Sequence, residues 1–307
     1  MIYHVFANKS NIGDWLSALG IQSALSGLEF SEHFCDAPFI DETMAVLQKA
    51  GHGDFVVVGG GGLFMDYFAP FWELFLKNAN GFPYGIWGTG YCDLTQEMSL
   101  PPRELIEKVI TGSRFCYVRD DLTRGHHRDM NLPAATGCPS LMILDKPTHK
   151  GRGLLHVDNY TTVGEKAFAV MDQLGREFAQ ETTRRYRRTN NRIRPNDETE
   201  LQACLELYRR SDIVLSSALH GCIVGLAYGC KVVAVSGDRK IDSFMESVGL
   251  SDWVLAANEL EQLEHLLQTQ NDQRWPGDRV KELQQANHRV AAETRAILET
   301  LGDRPYP

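Results

Sequence analysis

Short runs of apolar, often β-branched residues alternate along the chain with longer stretches in which apolar residues recur every three or four positions. The short runs are typical of buried parallel strands, and the longer stretches are typical of helices that cover a sheet. We predict strands at residues 1–7, 55–58, 83–90, 115–118, 154–157, 213–215 and 232–235, and an edge strand at 182–188. We predict helices at residues 15–25, 41–50, 68–77, 103–110, 164–180, 197–210, 241–248, 258–270 and 278–301, and one more between Ser217 and Gly229. This order predicts an α/β fold built on parallel sheets.

The length of 307 residues is sufficient for two domains of ordinary size. Near residues 145–153 the alternation is interrupted by Lys, Pro, Thr, His and Gly, which are typical of a linker. We therefore predict α/β domains at 1–148 and 149–307, with the C-terminal helix packing back on the N-terminal domain. Two Rossmann-like domains that face each other across a cleft form the GT-B arrangement.

The composition narrows the class of protein. Hydrophobic residues make up 43% and charged residues 23%, as in soluble globular proteins, and no apolar run approaches a membrane span. The first residues lack the basic region of a signal peptide, and seven singly placed cysteines favour a reducing cytoplasm over a disulfide framework. The net charge of −9 argues against a nucleic-acid binder, although residues 184–194 contain a strongly basic run.

The most informative stretch is the strand, helix and strand unit at residues 212–236. Ser216 and Ser217 can cap the helix, and His220 and Gly221 fall in its first turn, at the carboxyl end of a strand. Open α/β sheets bind ligands at that end, and the unpaired N–H groups and dipole of a helix start attract anions. The unit therefore predicts a phosphate or carboxylate site. The alternative is that His220 only caps the helix or packs in the core.

Two turns of the N-terminal half also have the residues of a ligand site. Residues 11–14, Asn-Ile-Gly-Asp, form a strand-to-helix corner. Four glycines at 59–62 follow a buried strand, where they would let a ligand or another backbone approach closely and permit positive φ angles. The run has neither the spacing of a dinucleotide-binding loop nor the Lys of a P-loop, so it signals neither cofactor.

Cationic residues follow two further strands. Arg119 ends the strand at 115–118, where its guanidinium is suited to bind an oxyanion. The alternative is an ion pair with Asp120, Asp121 or Asp14. Arg239 or Lys240 opens a helix after the strand at 232–235 and would face the same cleft as His220.

Taken together and in order, these motifs resemble one family, the polysaccharide pyruvyl transferases. The family has an Asn-x-Gly-Asp corner, a glycine run, a strand ending in Arg before Leu-Thr, a Gly-Asp-Pro-Ala segment, a Ser-Arg-Leu-His-Gly signature and a Lys before Gly-Leu. The matching positions are Asn11, Gly13 and Asp14; residues 59–62; Arg119, Leu122 and Thr123; residues 137–144; residues 217–221; and Lys240 with Gly249 and Leu250. The resemblance extends over roughly residues 3–255.

The resemblance implies a GT-B-like enzyme that moves the enolpyruvyl group of phosphoenolpyruvate onto two hydroxyls of a sugar, forming a pyruvate ketal and phosphate. It implies His220 as the acid–base or phosphate-binding group, and Asp14 as a base or as the group that orients the acceptor. The donor side would be the C-terminal domain, with the addition of Arg119, and the acceptor side the N-terminal domain. Donor-binding residues would be Arg119, Ser217, Leu219, Gly221, Arg239 and Lys240, and acceptor-binding residues Asn11, Gly13, Gly60, Gly61 and Gly62. Neither a metal nor a cofactor is implied.

The chain departs from the family pattern at two positions. Ala218 stands where many relatives have Arg before Leu-His-Gly, although the relatives similar to the xanthan and succinoglycan ketal transferases also have Ala there. Cys138 stands where the usual Gly-Asp-Pro segment has Asp, which removes a carboxylate.

Three functions are consistent with these residues. The first is a cytoplasmic pyruvyl transferase that acts on a bacterial glycan or its lipid-linked precursor, with the basic run at 184–194 meeting the acceptor's diphosphate or the inner face of the membrane. The second is a GT-B glycosyltransferase that uses a nucleotide-sugar, and the third is a non-catalytic glycan- or phosphosugar-binding relative. Peripheral membrane contact and a homo-oligomer are left open as partners.

Overall fold

The computed structural model describes residues 1–51, 53–94, 100–145 and 151–302. The strands of the first half are β1 (Ile2–Phe6), β2 (Phe30–Phe34), β3 (Phe55–Phe64), β4 (Tyr84–Tyr91) and β5 (Cys116–Val118). They form one parallel sheet in the order β2-β1-β3-β4-β5. Its helices are α1 (Ile12–Ala24), α2 (Ile40–Leu47), α3 (Ala69–Asn78), α4 (Arg103–Gly112) and α5 (Asp121–His126).

The second half repeats this architecture. Its strands are β6 (Gly153–Val157), β7 (Arg185–Thr189), β8 (Ile213–Ser216), β9 (Lys231–Ser236) and β10 (Val254–Ala256), paired in parallel in the order β10-β9-β8-β6-β7. Its helices are α6 (Tyr160–Val163), α7 (Glu165–Glu181), α8 (Glu198–Arg209), α9 (Leu219–Ala227), α10 (Arg239–Ser247), α11 (Leu263–Asp272) and α12 (Gly277–Gly302). The strand at 182–188 is confirmed as an edge strand, β7.

The central strands of both sheets are buried on both faces, as their continuous apolar runs predict. In β3, Val56 and Val58 belong to one buried cluster, whereas Phe55 and Val57 belong to another on the opposite face. Since successive side chains of a strand point to opposite faces, each sheet needs helices on both sides. The ligand-binding edge of such a sheet is then the edge at which its strands end.

The glycine run at 59–62 is not the turn that the sequence predicts. Strand β3 continues through all four glycines, and Gly60 and Gly61 have φ angles of 88° and 93°. A methyl group on Gly60 would overlap Ser17 of α1, and one on Gly61 would overlap the Asp14 carboxylate. The glycines therefore allow the start of α1 to lie against the end of β3, in a conformation that favours glycine.

Strands β2 and β10 were missed by the sequence analysis. Strand β2 reads Phe-Ser-Glu-His-Phe, and every one of its residues is only half-buried because it lies at the edge of its sheet. Strand β10 has only three residues and also lies at an edge. Edge strands bury less apolar surface than central strands, so they leave a weaker hydrophobic pattern.

The two halves share a buried contact. Ile12, Trp15 and Leu16 of α1 lie in the same hydrophobic cluster as the apolar face of α9. The Ile12 N–H donates to the Asn191 carbonyl at 3.0 Å, and the Ile193 N–H donates to the Ser10 carbonyl at 2.9 Å. This contact holds the first turn of α1 beside the first turn of α9.

Helix α12 lies against the N-terminal half. Asn287 is fully buried; its Nδ2 donates to the Thr136 carbonyl at 2.6 Å, and its Oδ1 accepts from Trp87 Nε1 at 3.3 Å. Arg295 donates to the Ala24 carbonyl at 2.9 Å. Of the predicted linker at 145–153, residues 146–150, with the boundary between 148 and 149, lie outside the described residues, and Gly153 already belongs to β6. The domain bounds therefore stay a prediction. In the described parts of the chain, no helix combines the length and apolarity needed to cross a bilayer.

Replacing Asn287 tests how much this helix contributes to stability. Asn287→Ala leaves the buried Trp87 N–H and the Thr136 carbonyl without this partner, so we expect the free energy of unfolding to fall by about 2 kcal/mol. Urea unfolding followed by tryptophan fluorescence measures it. Gln285→Ala, at an exposed position of the same helix, is the matched control. Equal stabilities of the two variants would contradict the expectation.

Candidate active site

A cavity of about 540 Å³ lies between the two sheets, at the carboxyl ends of their strands. Its lining comes from the end of β3, from residues after β1, β2, β3, β4, β5, β6, β8 and β9, and from the loop at 190–193. The lining residues are Ala7, Asn8, Asn11, Asp14, Asp36, Gly62, Met65, Tyr67, Phe68, Cys92, Leu94, Arg119, Asn159, Thr161, Thr162, Arg192, Leu219, His220 and Lys240. A cavity of this size accommodates an ordinary small-molecule ligand.

The first turn of α1 brings the Asn-x-Gly-Asp corner into the cavity. Asn11 caps the helix, because its side-chain oxygen accepts from the Gly13 N–H at 2.9 Å. Asn11 and Asp14 line the cavity, whereas Gly13 lies behind it, directly against the imidazole of His220. A methyl group on Gly13 would overlap that ring, so the close contact between the halves requires glycine here.

His220 faces a buried polar cluster with one ring nitrogen. Its Nε2 lies 3.5 Å from Ser17 Oγ and 3.7 Å from Cys138 Sγ. No partner for Nδ1 is found in the part of the chain that the structure describes. One nitrogen of His220 thus lies beside protein groups, and the residue also lines the cavity.

Burial moves the pKa values of Asp14 and His220 in opposite directions. It raises the pKa of Asp14 to about 7, although Arg192, Arg119 and Lys240 oppose the rise. It lowers the pKa of His220 to about 3, and the charges of Arg119 and Lys240 lower it further. Near neutral pH the imidazole is therefore uncharged, and the Asp14 carboxyl exchanges its proton readily. Groups with such shifts are candidates for acid–base chemistry.

The Arg119 side chain is almost fully buried in an ion pair. Its Nε donates to Asp120 at 2.8 Å and its Nη2 donates to the Tyr91 carbonyl at 3.3 Å. The predicted alternative of an ion pair with Asp120 is thus present, yet Arg119 also lines the cavity, and no partner for its Nη1 is found in the described ranges. The guanidinium therefore keeps a donor for a ligand.

The neighbouring cations Lys240 and Arg239 lie in different surroundings, one in the cavity and one on the surface. Lys240 lines the cavity, where its ammonium pairs with Asp238 and donates to Cys92 Sγ at 3.2 Å. Burial opposes its charge, but Cys92 and Asp238 hold the pKa of Lys240 above its ordinary value. Arg239 is 65% exposed, does not line the cavity and has its Nη1 3.6 Å from Asp93. Of the two alternatives, Lys240 is therefore the residue in the cavity.

The N–H groups that are available at the start of α9 are not the predicted one of Gly221. The Gly221 N–H is taken by the Ala218 carbonyl at 2.9 Å, and Gly221 packs against Ser216 and Val157 instead of lining the cavity. The N–H groups of Leu219 and His220 have no hydrogen-bond partner among the described residues. These two amides are the available donors of the helix end, and both of their residues line the cavity.

Ser217 also lies outside the cavity. Its hydroxyl oxygen accepts from the Asn159 N–H at 2.7 Å, and its carbonyl accepts from the Thr162 hydroxyl at 3.3 Å. Asn159 and Thr162 both line the cavity. Ser217 therefore holds the loop after β6 in place. Of the predicted acceptor glycines, Gly62 lines the cavity, whereas Gly60 and Gly61 pack against α1.

Several cavity residues were missed by the sequence analysis. Asp36, after β2, accepts from Asn8 Nδ2 at 2.5 Å, and burial raises the pKa of its carboxyl against the opposing effects of Asn8 and Arg192. The missed strand β2 would have indicated Asp36, because its carboxyl end lies beside that of β1. Tyr67 is 51% exposed and has no motif around it that signals a site.

The basic run at 184–194 is used mainly within the protein. Arg184 pairs with Asp212 at 2.9 Å, Arg188 lies 3.3 Å from Asp158, and Arg194 pairs with Glu200 at 2.6 Å. Arg192 is the member of the run that lines the cavity. Among the described residues, no three His, Cys, Asp or Glu side chains are grouped closely enough to hold a metal ion.

The cavity residues from Asn11 to Arg192, and Leu219 and His220, lie within a stretch that matches the model of one protein family. The family model for polysaccharide pyruvyl transferase matches residues 11–239, from Asn11 of the α1 corner to Arg239 at the start of α10. The chain therefore belongs to the polysaccharide pyruvyl transferase family, which confirms the resemblance drawn from the motifs and identifies it as a transferase. A sequence search against curated proteins found no match.

Solved structures agree on the fold. A putative UDP-N-acetylglucosamine 2-epimerase from Listeria monocytogenes has a TM-score of 0.62 at 12% identity, over 97% of this chain and 96% of that one. S. aureus MnaA in a co-structure with UDP scores 0.60 at 11% identity, over 99% and 98%. The UDP-GlcNAc 2-epimerase from Methanocaldococcus jannaschii, in complex with UDP-GlcNAc and UDP, scores 0.55 at 11% identity, over 96% and 99%. The likeness confirms the predicted fold class, two Rossmann-like halves facing a cleft in a GT-B-like arrangement.

The raised pKa of Asp14 predicts a dependence of stability on pH. Between about pH 4 and about pH 7 the folded carboxyl keeps a proton that the unfolded chain has lost, so the free energy of unfolding should fall as pH rises through this window. We expect Asp14→Asn, which cannot ionise, to remove that fall. Urea unfolding of both proteins at about pH 5 and about pH 8 measures it, with Asp41→Asn as the control for an exposed carboxylate. A constant difference between the Asp14→Asn variant and the wild type across the window would refute the assignment.

Proposed function

We propose that the protein transfers the enolpyruvyl group of phosphoenolpyruvate onto two hydroxyls of a sugar in a bacterial glycan or its lipid-linked precursor, forming a pyruvate ketal and phosphate. One observation carries the proposal. The same cavity between the sheets is lined by the cations Arg119 and Lys240, by the unpaired amides of Leu219 and His220, and by the Asp14 carboxyl and the His220 imidazole with their shifted pKa values. An anionic donor that reacts by proton transfer suits this combination. The donor acts as a substrate, and the proposal needs neither a cofactor nor a metal.

The donor side of the cavity is suited to an anion. Phosphoenolpyruvate has a phosphate and a carboxylate, and it needs several N–H donors held close together. Lys240 and the Nη1 of Arg119 are the cationic donors, and the N–H groups of Leu219 and His220 are the neutral donors. Asp120 pairs with Arg119 and Asp238 pairs with Lys240, so phosphoenolpyruvate would compete with these carboxylates for the N–H groups of the two cations.

Asp14 and His220 divide the proton transfers between them. A neutral imidazole accepts the proton of the attacking hydroxyl, which then forms a bond to C2 of the enolpyruvyl group. The protonated Asp14 carboxyl donates to the methylene carbon, which becomes the methyl group of the ketal. The second hydroxyl displaces phosphate from C2, and its proton leaves on the phosphate. The imidazolium then loses its proton to solvent and the Asp14 carboxylate takes one up, which restores both groups. The negative charge of bound phosphoenolpyruvate would also raise the pKa of His220 and so help the imidazole to hold the transferred proton.

The acceptor side is polar and open. Asn8, Asn11 and Asp36 offer amide and carboxyl groups that hydrogen-bond sugar hydroxyls, and Tyr67 adds an exposed ring at the cavity. Arg192 is exposed on the same cavity and is suited to the phosphates of a lipid- or nucleotide-linked acceptor. It is the residue that links the proposal to a precursor at the inner face of the membrane.

Phosphate release measures the proposed reaction directly. We expect the protein to release phosphate from phosphoenolpyruvate when a galactose-, glucose- or mannose-type acceptor is present, as followed by phosphorus NMR. His220→Gln removes the base and should lower turnover by about a hundredfold or more, without loss of folding. Gln173→Ala, at a surface position of α7, is the control. Turnover in the His220 variant equal to that of the wild type would exclude the imidazole from the reaction.

The two neighbouring cations provide a second test. Lys240→Met should weaken phosphoenolpyruvate binding by about 10- to 100-fold, because a charged hydrogen bond inside the cavity is lost. Arg239→Met should change it by about threefold at most, because that side chain is exposed. Isothermal titration calorimetry measures both. A larger loss in the Arg239 variant would move the anion site out of the cavity.

Two other functions would give different results in these experiments. Protection against thermal unfolding by a nucleotide-sugar, with none by phosphoenolpyruvate, would indicate a GT-B glycosyltransferase. Binding of phosphoenolpyruvate without phosphate release in the presence of any acceptor would indicate a non-catalytic relative. Ala218, which lies directly before Leu219 and provides no side-chain cap, is the residue that motivates this third function.

A further inference from the structure

Three buried polar side chains behind His220 form a directional chain of hydrogen bonds that ends at its imidazole. Ser140 Oγ donates to Cys138 Sγ at 3.0 Å, and Cys138 Sγ lies 3.1 Å from Ser17 Oγ. Ser17 Oγ in turn lies 3.5 Å from His220 Nε2. Ser17, Cys138 and Ser140 are completely buried, so water does not supply alternative partners. The direction of each bond is therefore decided by the donors and acceptors present.

The direction at Ser17 follows from its other contact. Its hydroxyl donates to the Gly13 carbonyl at 2.7 Å, and a carbonyl can only accept. The single hydroxyl hydrogen of Ser17 is thus used, and its oxygen presents only lone pairs to its other neighbours. A lone pair on His220 Nε2 would face those lone pairs, whereas an Nε2–H would donate to them.

The contacts of Cys138 also favour a hydrogen on His220 Nε2. Its thiol has one hydrogen, and the Ser17 oxygen at 3.1 Å is nearer than His220 Nε2 at 3.7 Å. With the thiol donating to Ser17, the two lone pairs of Ser17 Oγ accept one hydrogen from Cys138 and one from His220. Every donor in the chain then has an acceptor.

We infer that Ser17, supported by Cys138, holds His220 in the tautomer that has its hydrogen on Nε2 and its lone pair on Nδ1. Ser17 and Cys138 are positioning residues, because they act through the imidazole. Nδ1, for which no hydrogen-bond partner is found among the described residues, is then a hydrogen-bond acceptor. This tautomer does not depend on the function, but its consequence for catalysis, that His220 is the base and not the acid, rests on the proposed function.

The inference also gives Cys138 a physical role. A carboxylate at this position would attract a positive charge onto the ring, as an aspartate beside a histidine does. A buried neutral thiol accepts and donates hydrogen bonds without stabilising an imidazolium. A thiol at this position therefore does not oppose burial, Arg119 and Lys240, which together lower the pKa of the imidazole.

Nitrogen NMR on the free, isotopically labelled protein tests the tautomer. The chain has ten histidines, and the signal lost in His220→Gln identifies the one in question. Near neutral pH we expect a protonated Nε2 and an unprotonated Nδ1. A protonated Nδ1, or a ring with both nitrogens protonated, would overturn the inference.

Two variants test the hydrogen-bond chain itself. In Ser17→Ala the Cys138 thiol loses its acceptor and is left with His220 Nε2 as its neighbour, so we expect the tautomer to switch to Nδ1–H. In the double variant Ser17→Ala/Cys138→Ala neither neighbour remains, and we expect a mixture of tautomers. Ser23→Ala, at an exposed position of α1, is the matched control and should keep the wild-type signal. An unchanged His220 signal in Ser17→Ala would show that Ser17 does not select the tautomer.

Activity separates this inference from the proposed function. If the protein turns over phosphoenolpyruvate, Ser17→Ala should lower kcat about tenfold and leave KM nearly unchanged, as expected for one lost hydrogen bond that positions a base. A wild-type Nε2–H tautomer in a protein that never releases phosphate would support the inference and refute the proposed function. Turnover in a protein whose His220 has its hydrogen on Nδ1 would support the proposed function and refute the inference.

Discussion

The imidazole of His220 lies directly against the backbone of Gly13, and the rest of the site depends on this contact between the two halves. It is possible because Gly13 has no side chain and because α1 and α9 share a buried hydrophobic cluster. The hydrophobic contact is non-directional and only brings the starts of α1 and α9 together. The absence of a side chain at Gly13 determines how closely they approach. The result is that one cavity is lined by the strand ends of both sheets.

This proximity also explains the electrostatics of the cavity. The same burial that favours a neutral carboxyl at Asp14 favours a neutral imidazole at His220, since both charged forms lose contact with water. The cations Arg119 and Lys240 persist there because each is paired with an aspartate behind the cavity wall. The cavity thus combines charged donors with uncharged acid and base groups, and the donors attract an anion while the neutral groups remain able to exchange protons.

Much of the fold and part of the site could be predicted from the sequence. The central strands and most helices lie within a few residues of their predicted positions, because apolar periodicity is a local property of the chain. Of the residues named in advance, His220, Asp14, Arg119, Lys240, Asn11, Leu219 and Gly62 line the cavity. They were accessible to prediction because each follows a recognisable strand, and the carboxyl ends of parallel strands meet at one edge.

The remaining differences between prediction and structure have separate physical causes. The glycine run was predicted as a turn because a sequence does not show that α1 will pack against β3 and hold it extended. Gly221 and Ser217 were predicted to bind the donor because the hydrogen bonds that occupy them, to Ala218 and Asn159, form only in the folded loop. Asp36 was missed because its edge strand buries too little apolar surface to be recognised.

The sequence by itself determined which elements form and which chemical groups stand at their ends, since both follow from local periodicity and residue type. Only the tertiary structure decided which of those groups meet. Lys240 enters the cavity while Arg239 does not, and Ser17 and Cys138, 121 positions apart, come together behind one imidazole. Contacts at such separations depend on how distant elements pack against one another, which no local pattern in the chain encodes.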